Sequence, residues 1–234
     1  MMKTATTTKL SKRTLDLFKN FSAINANLYI EPGDRIYTLT QSATMCAEAK
    51  IEETFDTKFG IFDLPKFLGI VSLFNNPEFE FDDKFVTVYG QDNSKVKFYY
   101  CELKLIDKLV KNFGKAPKLK EVRYSFDISA KQISELTRAS SVLSLKNISI
   151  EASENSGVTV SIFDKENSTP NSYAIEASNG TVHSEDANKI LIYCENVSKI
   201  YSGDYRVDVT DNVSCWTHKT IDLKYYIAND TIKE

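Results

Sequence analysis

Four times along this chain the hydrophobic pattern repeats one cadence: a short strand, a helix, then three strands in close succession. The cadence is plainest in PEFEFDDKFVTVYGQDNSKVKFYY (77–100), where Phe79 and Phe81 alternate with Glu78, Glu80 and Asp82. DDK then offers a turn, Val86 and Val88 interleave with Thr87 and Tyr89, GQDN turns again, and Val96, Phe98 and Tyr100 alternate with Lys95, Lys97 and Tyr99. A period of two over three linked segments predicts an antiparallel meander with one buried face. Residues 27–51 predict a second meander, with EPGD as its first turn.

Helical periods stand ahead of these meanders. In KLSKRTLDLFKNFSAIN (9–25), Leu10, Thr14, Leu17, Phe21 and Ile24 recur at helical spacing. Residues 56–76 read as strand then helix, with Asp63 as the cap and Pro65 tolerated in the first turn. The second half repeats the scheme. VRYSFDI (122–128) alternates as a strand, and the helix that follows opens on the capping-box pair Ser129 and Gln132, with Ile133, Leu136 and Ser140 on one face. Strands are expected near 146–152, 157–163 and 171–178, with Asn179-Gly180 as a turn. KILIYCENVSKIYSGDYRVDV reads as strand, short helix, strand, and SCWTH and TIDLKYYIA close the chain as two more strands. The expectation is an α+β protein of two similar domains, each built of two β-α-β-β-β units with antiparallel sheets, the first copy lacking its opening strand. The boundaries are a flexible leader at 1–8, a first domain at 9–102, a connector at 103–120 and a second domain at 121–234.

Size and composition agree with that plan. The 234 residues divide into two domains of ordinary size, and 42% hydrophobic residues with 14 Phe and 12 Tyr can fill two cores. The longest apolar runs, such as GIVSLF, fall far short of a membrane span, and no signal-peptide pattern follows the start, so no membrane association is expected. Cys46, Cys101, Cys194 and Cys215 lie far apart without a CxxC pair, which reads as isolated thiols in a reducing cytoplasm. The Asn-x-Ser/Thr sequons at Asn167 and Asn179 are then composition only.

Catalytic patterns are not found. There is no phosphate-cradling glycine loop, and His183 and His218 each lack a partner at i+3 or i+4, so neither a metal site nor a cofactor is expected. Asp82-Asp83 and Glu52-Glu53 read as solvated charges, and no Ser or Cys stands in a nucleophile elbow. With no catalytic residue to name, the chain reads as a scaffold or binding protein and not as an enzyme.

Charge is distributed unevenly. Lys12 and Lys19 lie seven residues apart, about 10 Å along one helical face. Lys131 and Arg138 repeat that separation in the third copy, and the shorter helices supply Lys66 and Lys199. Formal charges within 11–24, 63–74, 129–142 and 195–201 are +2, 0, +1 and 0; the connector 103–120 carries +5, which leaves −11 on the rest of a chain whose net charge is −3. Solvated outer faces of ordinary amphipathic helices account for the pattern equally well.

KLSKRTLDLFKNFSAIN, then FDLPKFLGIVSL, and near the end YSGDYRVDV together resemble the DNA polymerase processivity factors, or sliding clamps, of T4-like bacteriophages. The resemblance runs from Lys9 over nearly the whole chain; residues 1–8 and a Lys-rich connector depart from it. It implies the DNA clamp fold: a head-to-tail homotrimeric ring, sheets outside and helices inside. Lys12, Arg13, Lys19, Lys66, Lys131, Arg138 and Lys199 would then face duplex DNA of any sequence. It also implies a polymerase, a clamp loader and transcription factors, late transcription included, as partners in the infected bacterial cytoplasm. They would dock on an outer apolar groove, with Leu105, Leu109 and Ile227 as its candidate residues. Two other readings stay open: an oligomeric phage structural or assembly protein that ignores DNA, and a DNA-binding module acting through the basic connector.

Overall fold

The computed structural model describes residues 7–92, 94–153, 157–163, 172–184 and 189–231. The chain resolves into two compact units, one taking the residues up to Gln41 and Ala47–Ala116, the other Ser42–Cys46 and Pro117 onward. The division falls inside the segment read from the sequence as a connector.

The first unit contains α1 (Lys12–Ile24), β1 (Leu28–Ile30), β2 (Gly33–Leu39), all but the first two residues of β3 (Met45–Phe55), β4 (Phe59–Ile61), α2 (Leu64–Val71), β5 (Glu78–Phe81), β6 (Phe85–Tyr89) and β7 (Lys95–Tyr99). A 3-10 turn at Leu103–Ile106 and α3 (Asp107–Asn112) complete it. Helix α1 starts where Ser11 accepts the Thr14 N–H at 3.1 Å, and it buries Thr14, Leu17, Phe18, Phe21 and Ile24. Helix α2 starts where Asp63 accepts the Lys66 N–H at 2.9 Å, with Pro65 in the first turn, and it packs beside α1. The strands run in the orders β3-β2-β1-β4 and β5-β6-β7. In the smaller sheet Phe79 faces Val88 and Val86 faces Phe98, so one apolar face is continuous, as the alternation requires.

The strand that the sequence pattern lacks in the first copy is present as a single bridge. Thr8 pairs with Phe79 of β5 through bonds of 2.7 and 2.8 Å in both directions, and Thr7 donates to Glu78 at 3.1 Å. Residues 7 and 8, read as part of a leader, are thus tied into the fold. The basic segment forms a short helix, as the spacing of Leu105, Ile106, Leu109, Val110 and Phe113 and the stop at Gly114 predict. It is a 3-10 turn followed by α3, with Ile106 and Leu109 buried and Gly114 at φ +68° ending it. Phe113 sets its ring edge-on against Tyr29 and Tyr37, at 5.5 and 6.1 Å, which anchors the segment to β1 and β2.

The second unit contains β8 (Tyr124–Ile128), α4 (Ala130–Leu143), β9 (Asn147–Ser153), β10 (Gly157–Phe163), β11 (Tyr173–Glu176), β12 (Ser178–Val182), β13 (Ile190–Tyr193) and α5 (Cys194–Val197). Strands β14 (Tyr205–Val209), β15 (Val213–His218), β16 (Leu223–Ala228) and β17 (Asp230–Thr231) follow. The orders are β12-β8-β14-β15-β16 and β11-β10-β9-β13-β17. The capping box at Ser129 and Gln132 is formed as expected. Asn179-Gly180 is not a turn. It lies inside β12, where Asn179 takes φ +51° and the register against β8 shifts between Ser178 and Thr181. A left-handed residue before a glycine suits a bulge as well as a hairpin, and here the pairing with β8 selects the bulge.

Within each unit the copies exchange their opening strands. Strand β8 leads into α4 yet pairs with β14, whereas β13 leads into α5 yet pairs with β9. The first unit does the same: β4 pairs with β1, and Thr8 pairs with β5. No helix among the described residues is long and apolar enough to cross a membrane.

Candidate nucleic-acid interface

Each unit presents two helices that carry or adjoin the expected cations, α1 and α2 in the first and α4 and α5 in the second; α3 belongs to the basic segment. On α1 the apolar stripe is buried, which by helical geometry leaves Lys12, Arg13 and Lys19 exposed. Lys66 is exposed on α2, Lys131 and Arg138 on α4, and Lys199 is half-buried just beyond α5.

Ion pairing sorts these cations into two groups. Arg13 reaches Glu52 on β3 at 3.0 Å, next to Glu53, which accepts the Ser11 N–H and the Thr14 hydroxyl at the helix start. Lys19 pairs with Asp16 at 3.2 Å, Lys131 with Glu135 at 3.8 Å, and Lys199 with Glu195 at 2.7 Å, each one turn away on the same helical stretch. The Lys199 ammonium, as hydrogen-bond donor and as a nearby charge, holds the Glu195 carboxyl below the usual range. Lys12, Lys66 and Arg138 make no ion pair among the described residues. The sequence pattern sets a single Asp16 against Lys12, Arg13 and Lys19 but does not single out Glu135 and Glu195, although their four-residue spacings announce them.

Between the cations of the second unit the surface is hydroxylic. Ser134, Ser141 and Ser198 are exposed, and Thr137 and Ser198 line two shallow clefts, of about 300 and 240 Å³, on either side of the α4–α5 contact. Short neutral donors and acceptors of this kind can exchange bonds with phosphate oxygens and water without fixing a register.

Of the three residues expected at a partner groove, Ile227 is fully buried in β16 and Leu109 is 2% exposed, because both point into their own units' cores. Leu105 is 58% exposed. Alternation along β16 signalled the burial of Ile227, which lies two residues beyond the buried Tyr225. On the same basic segment Lys104 pairs with Glu102, Lys111 with Asp107 at 2.6 Å, and Lys108 donates to the Gln41 carbonyl.

The histidines serve the fold. His218 Nδ1 accepts the Thr220 and Ile221 N–H groups at 3.1 and 3.3 Å. His183 meets Ser125 at 3.2 Å, and Ser125 donates to Asp208 at 2.7 Å. That order, carboxylate to serine to imidazole, cannot activate a nucleophile, since the base must stand between the other two. Ser125 is also buried. Among the described residues no group of three or more His, Cys, Asp or Glu side chains could hold a metal.

The chain is similar to the sliding clamp of Vibrio phage KVP40, with 28% identity over 225 residues that cover 96% of this chain and all of that protein. It is also similar to the sliding clamp of Enterobacteria phage T4, at 44% identity over 68 residues, 29% of this chain and 30% of that one. No family model matches. Among solved structures, PCNA from A. fulgidus, bound to the C-terminal region of FEN-1, aligns with a TM-score of 0.68 at 12% identity, over 97% of this chain and 98% of that one. The H. pylori beta clamp aligns with a TM-score of 0.67 at 12% identity, over 99% of this chain and 68% of that one. The fold is that of the DNA clamps.

Proposed function

We propose that this chain, related from end to end to the sliding clamps of T4-like phages, is one subunit of a ring that encircles duplex DNA and tethers a DNA polymerase for processive synthesis. The observation that carries the reading is the pair of cation-bearing helices backed by antiparallel sheets in each of two similarly built units. In this reading 9–102 and 121–234 are the two clamp domains, and the helices line the hole. The protein acts by linkage and performs no catalysis.

The modest charge of those helices suits a tether that moves. Backbone phosphates attract Lys and Arg at any sequence, and bidentate base contacts, which would pin the ring, are not required. The charge of −11 outside the helices and connector disfavours DNA on the exterior. A closed head-to-tail ring needs two different edges on each subunit. Strands β7 and β11 are each the last in their own sheet and share an exposed, half-buried alternation. We read them as the edges that pair between copies, three of which complete the annulus. Leu105, flanked by Lys104 and Lys108, is the candidate contact for apolar peptides of the polymerase, the clamp loader and transcription factors. The working compartment is the cytoplasm of the infected bacterial cell.

The test is topological. Subunits loaded by an ATP-driven loader onto nicked circles should stay bound through a salt wash and leave when the circle is cut. Retention on cut DNA that falls steeply with salt would instead favour binding through the connector. Failure to load at all, with normal oligomer mass, would favour an assembly protein.

A further inference from the structure

Three of the helix cations carry a carboxylate beside them, and the fold does not need those carboxylates. Asp16, Glu135 and Glu195 stand three or four residues from Lys19, Lys131 and Lys199 on the same helical stretch, at 3.2, 3.8 and 2.7 Å. Residues at that spacing share a face, so whatever the lysine faces the acid faces too. Helices α1 and α4 are already capped by Ser11 and Ser129 and anchored by their buried stripes. Exposed pairs of this kind contribute little to stability, and Lys131 precedes Glu135 in the less favourable order along the helix. Arg13 differs, since its partner Glu52 sits on β3 and ties one element to another. Glu135 is also approached by the Tyr173 hydroxyl at 3.5 Å, and Asp16 and Glu135 are 28% and 30% exposed, so their positions are restrained.

We infer that Asp16, Glu135 and Glu195 govern the grip of the ring on DNA, by competing with phosphates for Lys19, Lys131 and Lys199. The inference rests on the reading of these helices as DNA-facing. Removing the acids would double the net helix charge from +3 to +6 in each subunit. A lysine already paired releases fewer counterions on meeting a phosphate and lets go of it more readily. The unpaired Lys12, Lys66 and Arg138 supply steady attraction, and the paired set supplies contacts that turn over. Friction is thereby set below what the number of cations alone would give.

The experiment compares D16N/E135Q/E195Q with wild type on long DNA, using single-molecule tracking of loaded rings and the salt dependence of their lifetime on linear DNA. The variant should diffuse more slowly at low salt and converge with wild type at high salt. Each additional phosphate engaged steepens the log–log salt slope by about 0.9, a difference of roughly 3.5-fold between 50 and 200 mM. Adding K19Q/K131Q/K199Q to the same chain should restore wild-type diffusion. Thermal midpoint and oligomer mass are measured on each variant, and slowing that tracks a lowered midpoint overturns the inference in favour of a structural role. K12Q/K66Q/R138Q separates the two levels. If it speeds diffusion while the acid variant is unchanged, the governing role falls and the DNA-facing reading stands; if neither changes diffusion, both fall.

Discussion

Gly203 gives the sharpest mechanical test of the second unit. A Cβ at this position would lie 2.0 Å from His218 Nε2 and under 3 Å from Cδ2 and Cε1. Such contacts are comfortable only at about 3.5 Å, so Gly203→Ala must push the imidazole back by roughly 1.5 Å. The ring cannot yield freely, because its Nδ1 accepts from the backbone of Thr220 and Ile221. Overpacking costs about 1–3 kcal/mol and stranded N–H groups a similar amount, which puts the substitution near 3 kcal/mol. The same loop supplies Asp204, whose carboxylate accepts the Ala130 N–H at 2.8 Å at the start of α4, so the damage should reach the helix that carries Lys131. Urea unfolding followed by Trp216, the one tryptophan and fully buried in β15, reports this unit specifically. His218→Ala vacates the space, so G203A/H218A should be little worse than H218A alone, with a coupling of about 2 kcal/mol. Simple additivity of the two substitutions, or a G203A shift within about 0.5 kcal/mol, would refute the steric account.

Asp127, 12% exposed at its side chain, is bonded by Asn179, Arg206 and Lys219. Burial alone would raise its carboxyl, but those bonds more than offset it and hold it below the usual range. A depressed carboxylate stabilises the fold above its unfolded value and loses that contribution as pH falls through the folded one. D127N should therefore cost about 2 kcal/mol at pH 7, and the gap from wild type should close below pH ~4; a pH-independent gap in urea midpoints contradicts the reasoning. Leu105→Ser should weaken capture of an apolar C-terminal polymerase peptide about tenfold while leaving oligomer mass and urea midpoint unchanged, as read by fluorescence anisotropy; equal affinity removes Leu105 from the docking surface.

The sequence displayed most of the architecture because alternation and helical periods are local signals. Phe79 and Phe81, or Ile133 and Leu136, declare their faces without help from distant residues. What escaped was decided at long range. A lone bridge from Thr8 to Phe79 leaves no period, and Asn179-Gly180 becomes a bulge only because β8 lies beside it. The same distinction divides the candidate interface. Spacing found Lys12, Lys19, Lys131 and Arg138, and alternation marked Ile227 as a core position, while the burial of Leu109 depends on β1 and β2, against which α3 packs. Side chains selected for apolar character in a sequence are the ones a core claims first.

The exchange of opening strands has a consequence for how such a protein comes into being. Neither half of a unit can satisfy its own backbone, since β8 and β13 each hold a place in the other half's ladder. Synthesis of the second unit therefore reaches closure only after Tyr205–Val209 has emerged to meet Tyr124–Ile128, some eighty residues behind it. Until then the nascent chain carries an unclaimed ribbon, and a ribosome stalled between the halves would release a sticky intermediate in place of a small folded piece.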